Sequence, residues 1–199
     1  MENKLVKVSV NQMVRLAILI GIILLMSYTP LGYLKVGAVE ITFIMIPVVV
    51  GAVVMGPKAG AFLGGVFGFT SFLQCFGFSA FGTMLFGINP VFTFILCMVP
   101  RILMGWLSGV IFKKLHDVDK TNVASYVIAC ISGAILNTVL FVGFLLALFG
   151  NTEYIQSFGS NLWLIIVAIV GVNGLIEAGV CAVVGSAISK ALALLVDKK

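Results

Sequence analysis

Long apolar segments constrain this chain more than any other feature. The composition, 61% hydrophobic and 10% charged residues, is too apolar for a water-soluble domain of 199 residues. A helix needs about 20 apolar residues to cross a bilayer. Six apolar segments can be drawn: 13–29, 41–55, 59–73, 90–112, 123–149 and 161–190. The sequence therefore predicts an integral membrane protein, with six transmembrane helices in one compact bundle that forms a single membrane domain over 1–199.

The segments are predicted to be helices, so the expected class is all-α. Backbone groups must pair internally within a bilayer, and the alternating strands of a β-barrel are absent from the sequence. The short second and third segments are joined by GPKAG (56–60), which indicates a tight turn. Basic residues precede the first segment as in a signal peptide, but no small-x-small cleavage site follows. A retained first helix is expected.

Basic residues are distributed unevenly among the connections. With six spans, ten of the twelve fall on the side of the two termini. They are Lys4, Lys7, Arg15, Lys58, Lys113, Lys114, Lys120, Lys190, Lys198 and Lys199. The positive-inside rule therefore predicts a multi-pass protein of the cell membrane with both termini in the cytoplasm. This topology accounts for the net charge of +5, and no nucleic-acid partner is expected.

Four polar residues lie near the middle of the last three segments. Arg101 follows Pro100 in the fourth segment, Asn137 lies in the fifth, and Asn173 and Glu177 share a face of the sixth. Ionisable groups at membrane depth usually face the interior and mark a substrate path. We therefore predict that all four bind a substrate. The alternative is structural: an Arg101–Glu177 pair pins two helices together, with the asparagines as interhelical hydrogen bonds.

Small residues recur at helical spacing in the first half of the chain. Gly60, Gly64 and Gly68 form a doubled GxxxG in the third segment, and packing within the bundle is expected for them. Ala17 and Gly21 form a small-xxx-small step in the first segment. Because the first segment is otherwise broadly lipophilic, these two residues are expected to face a partner protein.

Several classes of function lack their sequence signals. There is no GxxxxGK[ST] loop, and His116 is the single histidine, with no Ser–His or HExxH arrangement around it. The four cysteines show no CxxC spacing. We therefore expect no enzyme, no catalytic residue, no metal and no cofactor. A secondary transporter would usually be larger and would show inverted repeats.

The connections on the outer side are predicted to be 30–40, 74–89 and 150–160. The second of these is uncharged and apolar. It is either a lid over an outward-facing pocket or a loop that lies at the membrane interface.

Four stretches of the chain resemble one known family. They are TPLGYLKVGAVEITFIMIPVVVGAVVMGPKAGAFLGGVFGFTSF (29–72), VPRILMGWLSGVIF (99–112), SGAILNT (132–138) and NGLIEA (173–178). Together they look like the substrate-binding S component of energy-coupling factor (ECF) vitamin transporters, most like the pantothenate type. Folate-type S components share a related IP…GP pattern.

The resemblance implies a six-helix subunit that captures a vitamin outside the cell. Such a subunit associates with a transmembrane coupling subunit and two cytoplasmic ATPases, and it topples in the membrane to deliver the ligand. In the family the first three helices meet the coupling subunit, while the last three and the outer loops hold the substrate. The contact motif on the first helix is AxxxA-like, and here its second position is Gly21.

The ligand's chemistry provides a further test of the resemblance. Pantothenate has a carboxylate for Arg101, and an amide and hydroxyls for Asn137, Asn173 and Glu177. A larger aromatic vitamin would favour stacked rings, and the deep face is expected to offer Trp106 alone, toward the cytoplasm. This favours a small aliphatic acid. The alternatives are an S component for another vitamin such as folate, a stand-alone secondary carrier, and a scaffold subunit without a ligand.

Overall fold

The computed structural model describes residues 10–29, 32–36, 39–119, 123–158 and 174–197, and helices dominate these ranges. The helices are α1 (Val10–Ser27), α2 (Met45–Met55), α3 (Pro57–Gln74), α4 (Ala80–Ile88), α5 (Pro90–His116), α6 (Ala124–Phe149), α7 (Glu153–Gln156) and the described part of α8, 174–197. Within α8, a π-helical turn at Cys181–Gly185 precedes the segment Ser186–Asp197. Two strands, β1 (Tyr33–Val36) and β2 (Val39–Thr42), pair as an antiparallel hairpin.

The long helices fit a membrane. Among the residues that the structure describes, four stretches are long and apolar enough to cross one: α1, α5, α6 and the Gly174–Leu194 part of α8. The shorter α2 is also apolar. Each of the six predicted segments overlaps a helix, although residues 161–173 of the sixth lie outside the described ranges. The chain is a membrane-embedded helical protein.

The connections contain more regular structure than the sequence analysis predicted. Residues 33–36 of the predicted loop 30–40 pair with residues 39–42, which include the start of the second segment, so that α2 begins at Met45 rather than at 41. The β-branched residues of Val39–Thr42 favour a strand. The residues that follow are also apolar, so the sequence gives no signal for the boundary between this strand and α2. The connection 74–89 contains α4, and 150–160 contains the single turn α7. An all-α class therefore omits the hairpin.

Local sequence explains where the helices begin and end. Asn89 caps α5 by accepting hydrogen bonds from the N–H groups of Val91 and Phe92 at 3.0 and 3.1 Å, and Pro90 occupies the first helical position. Gly56 has φ +91°, which lets α2 turn directly into α3. At the far end of α5, basic side chains in the last turn complement the helix dipole.

Glycines of α3 pack directly against the backbone of α5. A Cβ on Gly60 would lie 2.3 Å from the carbonyl oxygen of Gly105, and one on Gly64 would lie 2.2 Å from that of Arg101. A Cβ on Gly68 would lie 2.7 Å from the carbonyl oxygen of Cys97. Real side chains do not fit at such distances, so the doubled GxxxG brings two helices into backbone contact. The expectation that it packs within the bundle is confirmed.

A buried hydrogen-bond cluster joins the C-terminal ends of α1 and α3. The hydroxyl groups of Ser27 and Thr70 lie 3.0 Å apart, and the side-chain amide of Gln74 donates to the carbonyl oxygen of Ser27. All three side chains are buried. Because every member has a partner, the cluster holds α1 against the bundle near the hairpin.

Candidate functional site

Glu177 is the buried carboxylate of α8, with only 6% of its surface exposed. Its Oε1 accepts a hydrogen bond from the backbone N–H of Thr42, the last residue of β2, at 2.7 Å. The Asn137 side chain on α6 lies beside the carboxylate. The hairpin, α6 and α8 thus meet at Glu177.

Arg101 is positioned by the proline before it. Pro100 has no N–H, so the carbonyl of Leu96, four residues earlier, loses its helical partner. The Nη1 of Arg101 donates to that carbonyl at 2.8 Å. The side chain therefore bends back toward the N-terminal end of α5, and it satisfies a backbone group that the bilayer could not.

Two aromatic rings flank the Arg101 guanidinium. Its central carbon lies 4.6 Å from the ring centroid of Phe141 on α6 and 5.6 Å from that of Phe67 on α3. Both are cation–π distances. The expectation that Trp106 alone is a deep aromatic is therefore wrong, because Phe67 and Phe141 both lie at Arg101. Trp106 instead lies beside the α2–α3 turn, next to Lys58.

Arg101 and Glu177 interact through the field between them. The positive charge acts on the carboxylate, but within the described part of the chain the two side chains form no direct ion pair. Their direct partners are backbone groups, of Leu96 for the guanidinium and of Thr42 for the carboxylate. The structure therefore differs from the helix-pinning pair considered as the structural alternative.

Two polar atoms at this place are buried without a protein partner. They are Nε of Arg101, which is a donor, and Oδ1 of Asn137, which is an acceptor. Burying a polar atom without a hydrogen bond costs about 1–3 kcal/mol. Two unpaired polar atoms in one buried region are expected at a binding site, where a polar ligand forms the missing hydrogen bonds.

The connection 74–89 packs over this region. Phe81 of α4 lies 6.4 Å, centroid to centroid, from Phe141, the ring that contacts Arg101. Phe81 also packs against Tyr154 and Phe158, at 6.0 and 6.3 Å. The buried face of α4 is therefore connected to Arg101 through a single aromatic ring.

The structure brings together three of the predicted site residues, Arg101, Asn137 and Glu177, from three different helices. Asn173 lies outside the described residues. Sequence reasoning missed the Thr42 amide and the rings of Phe67 and Phe141. A backbone amide has no sequence signal, and a phenylalanine in an apolar span can equally face lipid.

These features define a membrane-embedded helical protein with a polar cluster enclosed between its helices. The family model for the substrate-specific component of ECF transporters matches residues 11–189. The chain belongs to this family of transporter components.

Two curated relatives resemble the chain over most of its length. The pantothenate transporter PanT of Leuconostoc mesenteroides is 31% identical over 159 residues, which cover 76% of this chain and 74% of the relative. The pantothenic acid transporter PanT of Lactococcus lactis is 28% identical over 163 residues, which cover 77% and 78%.

Proposed function

We propose that this chain captures pantothenate outside the cell and is the substrate-binding subunit of an ECF-type ATP-driven importer. The similarity to two pantothenate transporters supports the choice of vitamin. The observation that supports a binding site here is a pair of buried atoms without hydrogen-bond partners, Nε of Arg101 and Oδ1 of Asn137, beside the Glu177 carboxylate.

The chemistry of pantothenate matches these atoms. Its carboxylate accepts from Nε of Arg101, and an amide or hydroxyl hydrogen donates to Oδ1 of Asn137. A carboxylate must stay away from Glu177 because like charges repel. The Glu177 carboxylate therefore accepts from a ligand hydroxyl, and Asn173, one turn nearer the outside, orients the ligand. The gem-dimethyl group suits the apolar walls.

The hairpin and α4 form the outer cover of this site. The Thr42–Glu177 hydrogen bond holds the end of the hairpin against α8, and Phe81 holds α4 over Phe141. In this proposal the connection 74–89 is a lid rather than an interfacial loop, and the ligand enters by displacing part of this cover.

The coupling subunit docks on α1 in this proposal. Ala17 is exposed, and a Cβ on Gly21 would meet no atom within 4 Å, so these small residues make no close contact within the described chain. Beside them, an apolar groove of about 660 Å³ runs between α1, α2 and α8. Two cytoplasmic ATPases complete the importer, and all six helices span the membrane, with both termini in the cytoplasm.

Mass spectrometry of small molecules extracted from the detergent-purified protein tests this function. We expect pantothenate in near-equimolar amount from wild type, and little from Asn137→Ala, which loses the orphaned acceptor. Tyr28→Ala, at an exposed residue just after α1, is the control and should retain the ligand. A different vitamin, or no ligand after growth with excess pantothenate, would contradict the proposal.

A further inference from the structure

At the end of the bundle opposite the Thr42–Glu177 contact, α5 extends beyond the α2–α3 turn and leaves a step between them. The turn between α2 and α3 is seated against Gly109 of α5, where a Cβ would lie 2.7 Å from the Cα of Pro57. Beyond Gly109, α5 continues to His116, which at 1.5 Å per residue is about 10 Å further. The end of α5 therefore overhangs the turn.

A cavity of about 640 Å³ occupies this step. Its walls are the α2–α3 turn and the last part of α5. Its charged lining residues are Lys58, Lys113, Lys114 and Asp117, an excess of positive charge. The indole of Trp106, which is 45% exposed, lies on its apolar side. Ammonium groups therefore surround an opening whose inner wall is apolar.

The donors around this cavity have no partners. In the described residues, no hydrogen bond or ion pair engages the ammonium groups of the three lysines. Gly56, which precedes α3, has no side chain to cap the first turn of that helix. The cavity thus offers several donors and a positive field to an anion.

We infer that this cavity binds the phosphate of one anionic phospholipid headgroup. The three lysines contact the phosphate, and Trp106 packs against the glycerol and upper acyl chain, as tryptophan does at membrane interfaces. A basic cavity between helices on the cytoplasmic side is the site that an anionic headgroup fits. The site is separate from the vitamin site, at the other end of α2.

The step favours a lipid over a soluble phosphate or an acidic protein. With 11 residues, α2 is only about 17 Å long, whereas the hydrocarbon core of a bilayer is about 30 Å thick. Lipid must therefore reach inward to the turn, beneath the overhang of α5. A soluble phosphate would leave the Trp106 wall without a function. A protein surface would have to reach beneath the overhang of α5 to contact the turn.

Native mass spectrometry with defined lipids tests the inference on the full chain. The probes are phosphatidylglycerol and, as a zwitterionic control, phosphatidylcholine. Wild type should bind one phosphatidylglycerol in preference to phosphatidylcholine. Each of Lys58→Ala, Lys113→Ala and Lys114→Ala should weaken that binding about fivefold, and Lys190→Ala, a lysine outside the cavity, should not change it. The three cavity lysines are exposed and Lys190 is only partly buried, so the variants should fold, which circular dichroism checks.

Three results would overturn the inference. The first is equal binding of the two lipids by wild type. The second is displacement of phosphatidylglycerol by millimolar inorganic phosphate, which would assign the cavity to a soluble anion. The third is unchanged lipid binding in the three lysine variants together with weaker association with the ATPase module, which would assign it to a protein partner.

Discussion

The carboxylate of Glu177 on α8 accepts a hydrogen bond from the backbone N–H of Thr42 at 2.7 Å, which fastens the end of the hairpin to the last helix. The two residues are 135 positions apart in the chain. A charged residue in an apolar span thus has a backbone partner from the hairpin. Opening the hairpin requires that this bond break.

The first prediction concerns this hydrogen bond. Glu177→Ala removes the acceptor and leaves the Thr42 amide unpaired in a partly buried place, so the free energy of unfolding should fall by about 1–3 kcal/mol. Hydrogen exchange of the peptide that spans 39–44 should accelerate. Glu177→Gln is the control, because its amide oxygen still accepts. If exchange in Glu177→Ala equals that of wild type, the bond does not hold the hairpin.

The second prediction concerns the charge of Glu177. Glu177→Gln keeps the shape of the side chain but leaves Arg101 without its nearby anion. The ligand-free protein should lose about 1 kcal/mol of stability, and an anionic ligand should bind about fivefold more tightly. A thermal-shift titration with pantothenate measures both quantities. Wild-type values for both would show that the carboxylate does not balance Arg101.

The sequence indicated which polar residues lie together better than it indicated what surrounds them. Arg101, Asn137 and Glu177 stand out in the sequence because polar groups in apolar spans are costly and few. The direct partners of Arg101 and Glu177 could not be predicted, because the carbonyl of Leu96 and the amide of Thr42 are backbone groups without a sequence signal. The hydrogen bond to the Leu96 carbonyl follows from Pro100, but only once the Arg101 side chain is known to bend toward the start of α5.

In the fold, too, some features have a sequence signal and others depend on tertiary contacts. The period of Gly60, Gly64 and Gly68 predicted a closely packed face, but the choice of α5 as its partner depends on tertiary contacts. The helix α4 was missed because an uncharged, glycine-containing connection has no clear helical period. Its N-cap, Ser79, accepts from the N–H of Gly82 at 3.4 Å and is the one local signal that could have found it.

The third prediction tests the contact between α3 and α5 beside Arg101. Gly64→Ala would place a methyl group 2.2 Å from the Arg101 carbonyl oxygen, so the helices must separate. We expect a loss of about 2–3 kcal/mol in stability and weaker ligand binding. Gly65→Ala is the matched control: its nearest contact is 3.8 Å, and the gain in helix propensity should make it neutral or stabilising. Equal melting temperatures of the two variants would contradict the close contact.

The fourth prediction concerns docking of the coupling subunit on α1. Ala17→Leu and Gly21→Leu add bulk to an exposed face, so close approach of a partner helix is lost. Co-purification with the coupling subunit should fall about tenfold, while ligand binding by the isolated chain is unchanged. Gly143→Leu, a glycine of α6 with no atom within 4 Å, is the control. Undiminished co-purification of the α1 variants would place the docking face elsewhere.

The central claim is that Arg101 binds the ligand carboxylate, and isothermal titration calorimetry with two ligands tests it most directly. Pantothenol has an alcohol in place of the carboxylate of pantothenate and is otherwise the same molecule. A hydrogen bond to a charged group contributes about 1.5–3 kcal/mol, so wild type should prefer pantothenate by about 10- to 100-fold. Arg101→Ala should bind both ligands weakly and alike, and Arg101→Lys, which keeps the charge, should retain part of the preference. An Arg101→Ala variant that still prefers pantothenate by the wild-type factor would contradict the account.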